Sequence, residues 1–309
     1  MKFKNILVPV DLTVYSDKAL EYALRLGIRH QSQVNLLYVF DNFNHQDSSI
    51  EKQMKEYRDI LEKMVFRIEK RIMAENPNYH FVPFKAWVIS GKQVGEIILK
   101  FIDDKNFDLV VMETHARSGL NHMLLGSVTE KIVRLSQKPV LTVHHSLNEF
   151  KLNKILIPVD FSPYSKKAIE YVIPLAREFQ ADLIFLHVIP HEFHPDFHGA
   201  SINNLFQMAP AMKTHTTEKL REFTGYSGAN ATHIVIEGKP CHSIIEYADY
   251  TNCDLILMAT RGMTGLKHLL VGSTTEKIVR LSERPILTLG RVNIPEQARE
   301  EAVEAVLLN

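Results

Sequence analysis

An eleven-residue segment of this chain occurs twice, almost unchanged. It runs from Gly126 to Ser136 as GSVTEKIVRLS and from Gly272 to Ser282 as GSTTEKIVRLS. A repeat of this length at this separation indicates a duplicated structural unit. In a chain of 309 residues, each copy has about 145 residues, which is enough for an independent hydrophobic core.

Each copy begins with a short apolar run that ends in an aspartate. Ile6 to Asp11 and Ile155 to Asp160 show no polar alternation, which is typical of a parallel strand buried on both faces. Helical patterns and further apolar runs then alternate along each copy. The order predicts an α/β fold with two tandem, doubly wound, five-stranded parallel-sheet domains of Rossmann-like type. The expected bounds are 1–147 and 152–291, followed by a helical tail over 292–309.

The composition excludes several classes of protein. Lys+Arg and Asp+Glu are equal at 36 each, so charge alone favours neither nucleic acid nor an anionic membrane as partner. No segment approaches the ~18 to 20 uninterrupted apolar residues of a membrane span, and no signal-peptide pattern opens the chain. The two cysteines, Cys241 and Cys253, form no C-x-x-C motif. We therefore expect reduced thiols and a cytoplasmic location.

The repeated segment itself predicts an anion site, because a Gly-Ser turn opens a helix in both copies. Glycine lets the backbone come close to a phosphate, and the first amide N–H groups of a helix lie at the positive end of its dipole. Gly272 and Ser273 form this turn in the second copy, and Gly126 and Ser127 form it in the first. Plain helix capping is the alternative interpretation of both turns.

The spacing before the second turn carries a family resemblance. Ala259-Thr260-Arg261-Gly262 is followed by nine residues and then by Gly272-Ser273-Thr274. The chain here resembles the universal stress protein family in its tandem two-domain form, whose ATP-binding members carry Gly-x-x-Gly, nine residues, then Gly-Ser or Gly-Thr. The resemblance covers all but roughly the last 20 residues. It implies an adenine nucleotide alpha hydrolase-like fold.

The resemblance also implies ATP or a related adenine nucleotide, bound with Mg²⁺, in the second copy. Asp160, at the end of the first strand of that copy, would bond the ribose or the base, and Val188 would contact the adenine through its backbone. Ala259 replaces the first glycine of the motif, so the nucleotide would need room beside a methyl group. The expected binding residues are Pro158, Asp160, Val188, Ala259, Arg261, Gly262, Gly272, Ser273 and Thr274.

The first copy departs further from the motif, since both early glycines are replaced. Glu113 and Ala116 stand in their places, nine residues before Gly126-Ser127. A carboxylate beside a polyanion costs on the order of 1 kcal/mol at ~4 Å in water and more when it is partly buried. The second copy is therefore predicted to be the better site, and the first to be weak, altered or empty. Its weaker candidates are Asp11, Val39, Gly126, Ser127 and Val128.

A histidine-rich segment in the second copy offers a different interpretation. His187, His191, His194 and His198 are close enough in sequence to suggest zinc, with the last three as the candidate ligands, yet their spacing matches no recognised closed pattern and no cysteine lies nearby. A flexible loop is the alternative, and it is the one we favour.

Three functions are compatible with the motifs. The first is a regulatory or stress-protective protein that binds an adenine nucleotide and acts on an unidentified protein partner. The second is an interaction module that has lost nucleotide binding, and the third is a slow ATPase. The chain has no Walker motif, nucleophile elbow or His-Glu-x-x-His motif, so at most weak ATP hydrolysis is expected. By resemblance, strands Val140–Val143 and Ile286–Leu289 would pair within the chain as a pseudo-dimer, and a homodimer of whole chains is also compatible with the sequence.

Overall fold

A computed structural model of the chain describes most of its residues. The described residues are 2–13, 16–41, 47–76, 79–114, 126–144, 150–190, 206, 210–260 and 272–290, with backbone alone for 47–49. The chain divides into two compact units, Met1–Phe150 and Lys151–Asn309. The predicted bounds at 147, 152 and 291, the helical tail and the pairing of the two fifth strands stay predictions.

Unit 1 is a five-stranded parallel sheet with four described helices. Its strands are β1 Asn5–Val10, β2 Gln33–Phe40, β3 Phe84–Ser90, β4 Leu109–Thr114 and β5 Val140–His144. Its helices are α1 Ser16–His30, α2 Asp47–Glu75, α3 Val94–Asp104 and α4 Ser127–Leu135. Within the unit the strand order is β3-β2-β1-β4-β5, and every pair is parallel.

Unit 2 repeats this plan. Its strands are β6 Lys154–Pro158, β7 Asp182–Pro190, β8 Ala231–Gly238, β9 Leu255–Ala259 and β10 Ile286–Leu289. Its described helices are α5 Pro163–Phe179, α6 Pro210–Thr224, α7 Pro240–Tyr250 and α8 Ser273–Leu281. The order β8-β7-β6-β9-β10, again all parallel, confirms the predicted α/β class and the tandem duplication.

The central strand of each unit is apolar because it is covered on both faces. Ile6, Leu7 and Val8 of β1 are fully buried, as are the three residues Ile155–Ile157 of β6. From each central strand the chain first forms the two strands on one side of it and then crosses to form the two strands on the other side. The strand order therefore reverses at the central strand. Ligands of open parallel sheets bind in the crevice at this reversal, beyond the carboxyl ends of the strands. In unit 1 it lies between β1 and β4, and in unit 2 between β6 and β9.

A buried carboxylate ties the long helix α2 to α1 in unit 1. Glu21 is 3% exposed and accepts hydrogen bonds from Lys18 Nζ at 3.0 Å, Arg25 Nε at 3.0 Å and Arg71 NH2 at 2.7 Å. Burial alone would raise the pKa of Glu21, but the hydrogen bonds and positive charges of these partners outweigh it and hold the pKa below 4.5. The ionised form is therefore the stabilising one.

We expect Glu21→Gln to lower the free energy of unfolding by about 2 to 3 kcal/mol at pH 7, because it removes the buried negative charge that three partly exposed cations share. Because the folded pKa is depressed, the difference should be complete above the ordinary glutamate pKa and shrink as the pH falls through the lowered value. Urea unfolding measures it. Glu75→Gln is the matched control, since the half-exposed Glu75 also pairs with Arg25 and should cost less than about 1 kcal/mol. Equal losses in the two variants would contradict this account.

Candidate functional site

The turn after β6 holds Asp160 at the mouth of the crevice in unit 2. Its Oδ1 accepts the backbone N–H of Ser162 at 3.0 Å, which is an Asx turn. Phe161 between them takes φ 60°, a left-handed conformation that is uncommon for a residue with a Cβ. Ser162 then caps α5, because its Oγ accepts the N–H of Ser165 at 3.1 Å. The carboxylate of Asp160 is therefore positioned by the start of α5.

The start of α8 lies against the end of β9. Gly272 is the N-cap residue, with φ −67° and ψ 141°, and it donates its N–H to Thr260 O at 2.7 Å. Thr275 Oγ1 donates to Ala259 O at 3.1 Å. No side chain caps this helix end among the described residues. The first-turn N–H groups, those of Ser273 and Thr274, are thus the kind of donors that hold an anion at a helix N-terminus.

A half-buried histidine, His187, lies near Asp160, and the sequence singled it out only as part of the histidine-rich segment, not as a residue of the nucleotide site. His187 Nδ1 is 2.7 Å from Val159 O, and because a carbonyl oxygen only accepts, Nδ1 carries the proton. Burial lowers the pKa of His187, against opposing contributions from the Val159 carbonyl and Asp160. The Phe161 ring packs 4.6 Å from the imidazole. His187 lies near the carboxyl end of β7, the strand next to β6, and this position in the sequence could have indicated a site residue.

The other predicted residues of unit 2 fall at the same ends of the strands. Pro158 ends β6 and pairs with Leu186 of β7, which places Asp160 level with Val188 two residues further on. Ala259 ends β9, which also pairs with β6. The fold therefore brings Pro158, Asp160, Val188, Ala259 and the first turn of α8 to one edge. Arg261 and Gly262 lie outside the described residues.

Unit 1 has the same backbone frame. Gly126 precedes α4 with φ −59° and ψ 137°, Thr129 Oγ1 donates to Glu113 O at 3.2 Å, and no described side chain caps the helix. Ser127 is exposed and Val128 is half-buried in its first turn. Val39 lies in β2, as Val188 does in β7.

Asp11 in unit 1 forms the same Asx turn as Asp160 and also accepts hydrogen bonds from two hydroxyl groups. Its Oδ1 accepts from Thr13 N at 3.0 Å, Thr13 Oγ1 at 2.6 Å and Ser16 Oγ at 2.7 Å. The matching Asp160 accepts from the backbone of Ser162. The two aspartates therefore share the backbone hydrogen bond of an Asx turn, and the hydroxyl groups of Thr13 and Ser16 also donate to Asp11.

Glu113 is the largest chemical difference between the two crevices. It replaces Ala259 at the end of the fourth strand, it is only 6% exposed, and neither carboxyl oxygen has a hydrogen-bond partner in the described part of the chain. Burial raises the pKa of Glu113 to about 8, with smaller contributions from the charges of Asp11 and Asp17 and an opposing one from Lys18. The carboxyl is therefore mostly neutral at pH 7.

The described residues offer no metal cluster of three or more His, Cys, Asp or Glu. His191, His194 and His198 lie outside them, so the zinc hypothesis is untested. Within the same part of the chain, every helix is too short or too polar to cross a membrane.

Comparison with known proteins decides the family. The model of the universal stress protein family matches residues 2–144 and again residues 151–289. The chain belongs to the universal stress protein family. This tandem universal stress protein is 24% identical to the universal stress protein E homolog of Haemophilus influenzae, over 90% of this chain and 94% of that one.

Shorter relatives match one copy at a time. A universal stress protein of Bacillus subtilis is 29% identical over 44% of this chain and 97% of its own length. The crystal structure of a universal stress protein from Archaeoglobus fulgidus aligns over 94% of this chain and 98% of that one, with a TM-score of 0.68 and 23% identity. At that identity the likeness shows the fold alone.

Proposed function

We propose that this universal stress protein binds ATP or a related adenine nucleotide with Mg²⁺ in unit 2, and that occupancy regulates its contact with a partner protein. One observation carries the proposal. The start of α8, which no described side chain caps, is hydrogen-bonded to the end of β9, and β9 pairs with β6, the strand that Asp160 follows, at the point where the strand order reverses. Anions bind at such helix starts because the unpaired N–H groups and the dipole both favour negative charge.

Different residues at this edge of the sheet would contact different parts of the nucleotide. The N–H groups and hydroxyls of Ser273 and Thr274 would hold the phosphates, and Asp160 would bond the ribose or base. The backbone of Val188 would contact the adenine. Mg²⁺ keeps several waters and is usually bound by phosphates with one or two carboxylates. Among the described strand ends of unit 2, Asp160 is the carboxylate at the point where the strand order reverses, whereas Glu237 lies on the outer strand β8.

Titration of the purified chain with ATP and Mg²⁺ by calorimetry tests the proposal. We expect one site per chain and at least a tenfold weaker affinity in Asp160→Ala, since a hydrogen bond to a charged group contributes about 1.5 to 3 kcal/mol. Asp182→Ala is the matched control, because Asp182 is an exposed aspartate at the opposite end of the neighbouring strand.

Each other outcome has a distinct meaning. No heat with the wild type would favour an interaction module, and heat that Asp160→Ala leaves unchanged would refute the site placement. Phosphate release that disappears in Asp160→Ala would indicate an ATPase in place of a binding protein.

A further inference from the structure

We propose that the Glu113 side chain occupies the ligand crevice of unit 1 and thereby leaves unit 2 as the one nucleotide site, so that removing this side chain opens a second site. The inference rests on the proposed function of unit 2. It attributes the difference in nucleotide binding between the two copies to one residue, Glu113.

The backbone frames of the two crevices are equivalent, so the side chains at their strand ends can be compared directly. The N-cap glycines differ by less than 10° in both φ and ψ. A threonine of the first helical turn donates to the carbonyl of Glu113 at 3.2 Å and to that of Ala259 at 3.1 Å. Leu12 and Phe161 follow the first-strand aspartates with φ 61° and 60°. The Glu113 side chain therefore extends from the backbone position at which unit 2 has only the methyl group of Ala259.

The environment of Glu113 places its carboxyl inside this crevice rather than outside the sheet. The group is 94% buried, and the charges that act on it belong to Asp11, at the end of β1, and to Asp17 and Lys18, in the first turn of α1. These elements border the crevice between β1 and β4. The corresponding volume in unit 2 lies between Asp160, the start of α5 and Ala259.

Stability does not explain this carboxyl, because it makes no hydrogen bond with the described residues. A buried polar group without a partner is destabilising, since nothing offsets the loss of its contacts with water. Both of its oxygens lack a partner among the described residues, although an alanine at the same position of unit 2 is compatible with the fold. The residue therefore lowers stability at the place where ligands of this fold bind.

Either protonation state of the carboxyl excludes a nucleotide. The neutral side chain fills the space above the strand end, since glutamate has four more side-chain heavy atoms than alanine. The ionised carboxylate repels the negative charge of a polyphosphate, and it does so more strongly in a buried site than in water. No described side chain caps the start of α4, so its first N–H groups can hold the phosphates once the Glu113 side chain is shortened.

Reciprocal substitutions test the inference in the full chain, with calorimetric stoichiometry for ATP and Mg²⁺ as the readout. We expect Glu113→Ala to raise the number of sites from one to two, and Ala259→Glu to lower it from one to none. Glu113→Gln keeps the volume without the charge and should keep one site. Ser127→Pro added to Glu113→Ala removes an amide donor of α4 and should weaken only the new site.

The outcomes separate this inference from the proposed function. One site in both the wild type and Glu113→Ala would overturn the inference alone, as would two sites in the wild type or in Glu113→Gln. No site in either the wild type or Glu113→Ala would overturn the proposed function. Circular dichroism checks that Ala259→Glu is folded. If that variant does not fold, the number of sites in Glu113→Ala still tests the inference.

Discussion

Replacing Ser273 by proline is expected to weaken ATP binding by about 10- to 100-fold while α8 is retained. Proline removes the first helical N–H, and a hydrogen bond to a charged group contributes about 1.5 to 3 kcal/mol. Proline is also well tolerated at the first position of a helix. The preceding Gly272 already has φ −67° and ψ 141°, the extended conformation that a residue before proline adopts. Calorimetry with ATP and Mg²⁺ measures the effect.

Two controls show whether the amide is responsible. Ser273→Ala removes only the hydroxyl and should cause the smaller loss. Ser127→Pro makes the same change at the start of α4 in unit 1, where Gly126 has a matching φ −59° and ψ 137°, and should leave the affinity of unit 2 unchanged. Unaltered binding in Ser273→Pro would show that the phosphates lie elsewhere.

The stability of Glu113→Gln is expected to exceed that of the wild type at pH 9 by several kcal/mol and to approach it near pH 4.5. The pKa of Glu113 is raised from 4.5 to about 8 in the folded protein, mainly by burial. Between these values the folded state binds the extra proton, so the free energy of unfolding falls by up to about 1.4 kcal/mol per pH unit as pH rises. Above pH 8 the loss is complete, whereas glutamine does not ionise.

Urea unfolding of the two proteins from pH 4.5 to 9 measures this difference, and other titrating groups cancel in the comparison. Glu21→Gln serves as the control of opposite sign, because the pKa of Glu21 is lowered and its stabilisation is lost toward low pH. A constant difference between the wild type and Glu113→Gln would show that the carboxyl is solvated or paired in the folded state.

Much of the fold follows from local patterns. The buried strands β1 and β6 were predictable because parallel strands covered on both faces need continuous apolar runs. Helix α2 was predictable because its apolar residues recur every three or four positions between Ile50 and Ile72. In both cases the pattern of apolar residues reflects how one element is buried, and a single stretch of sequence contains the whole pattern.

The ends of an element are harder to predict from sequence where a residue distant in the chain binds the backbone at that end. The apolar pattern of the third strand includes Val82, but β3 begins at Phe84. Val82 donates its N–H to the buried carboxylate of Glu69 at 3.2 Å, which also accepts the Tyr79 hydroxyl at 2.6 Å. This carboxylate belongs to α2, so no pattern near Val82 contains the information.

The sequence by itself determined the duplication, the parallel α/β class and the two Gly-Ser helix starts, because each depends on residue order within one short segment. Only the tertiary structure decided that Glu113 is buried near Asp11 with no hydrogen-bond partner in the described part of the chain, and that His187 donates its Nδ1 proton to Val159 O. Both depend on desolvation and on partners more than 25 residues away in the chain. Charge and hydrogen bonding in a crevice are set by which strand ends the sheet brings together.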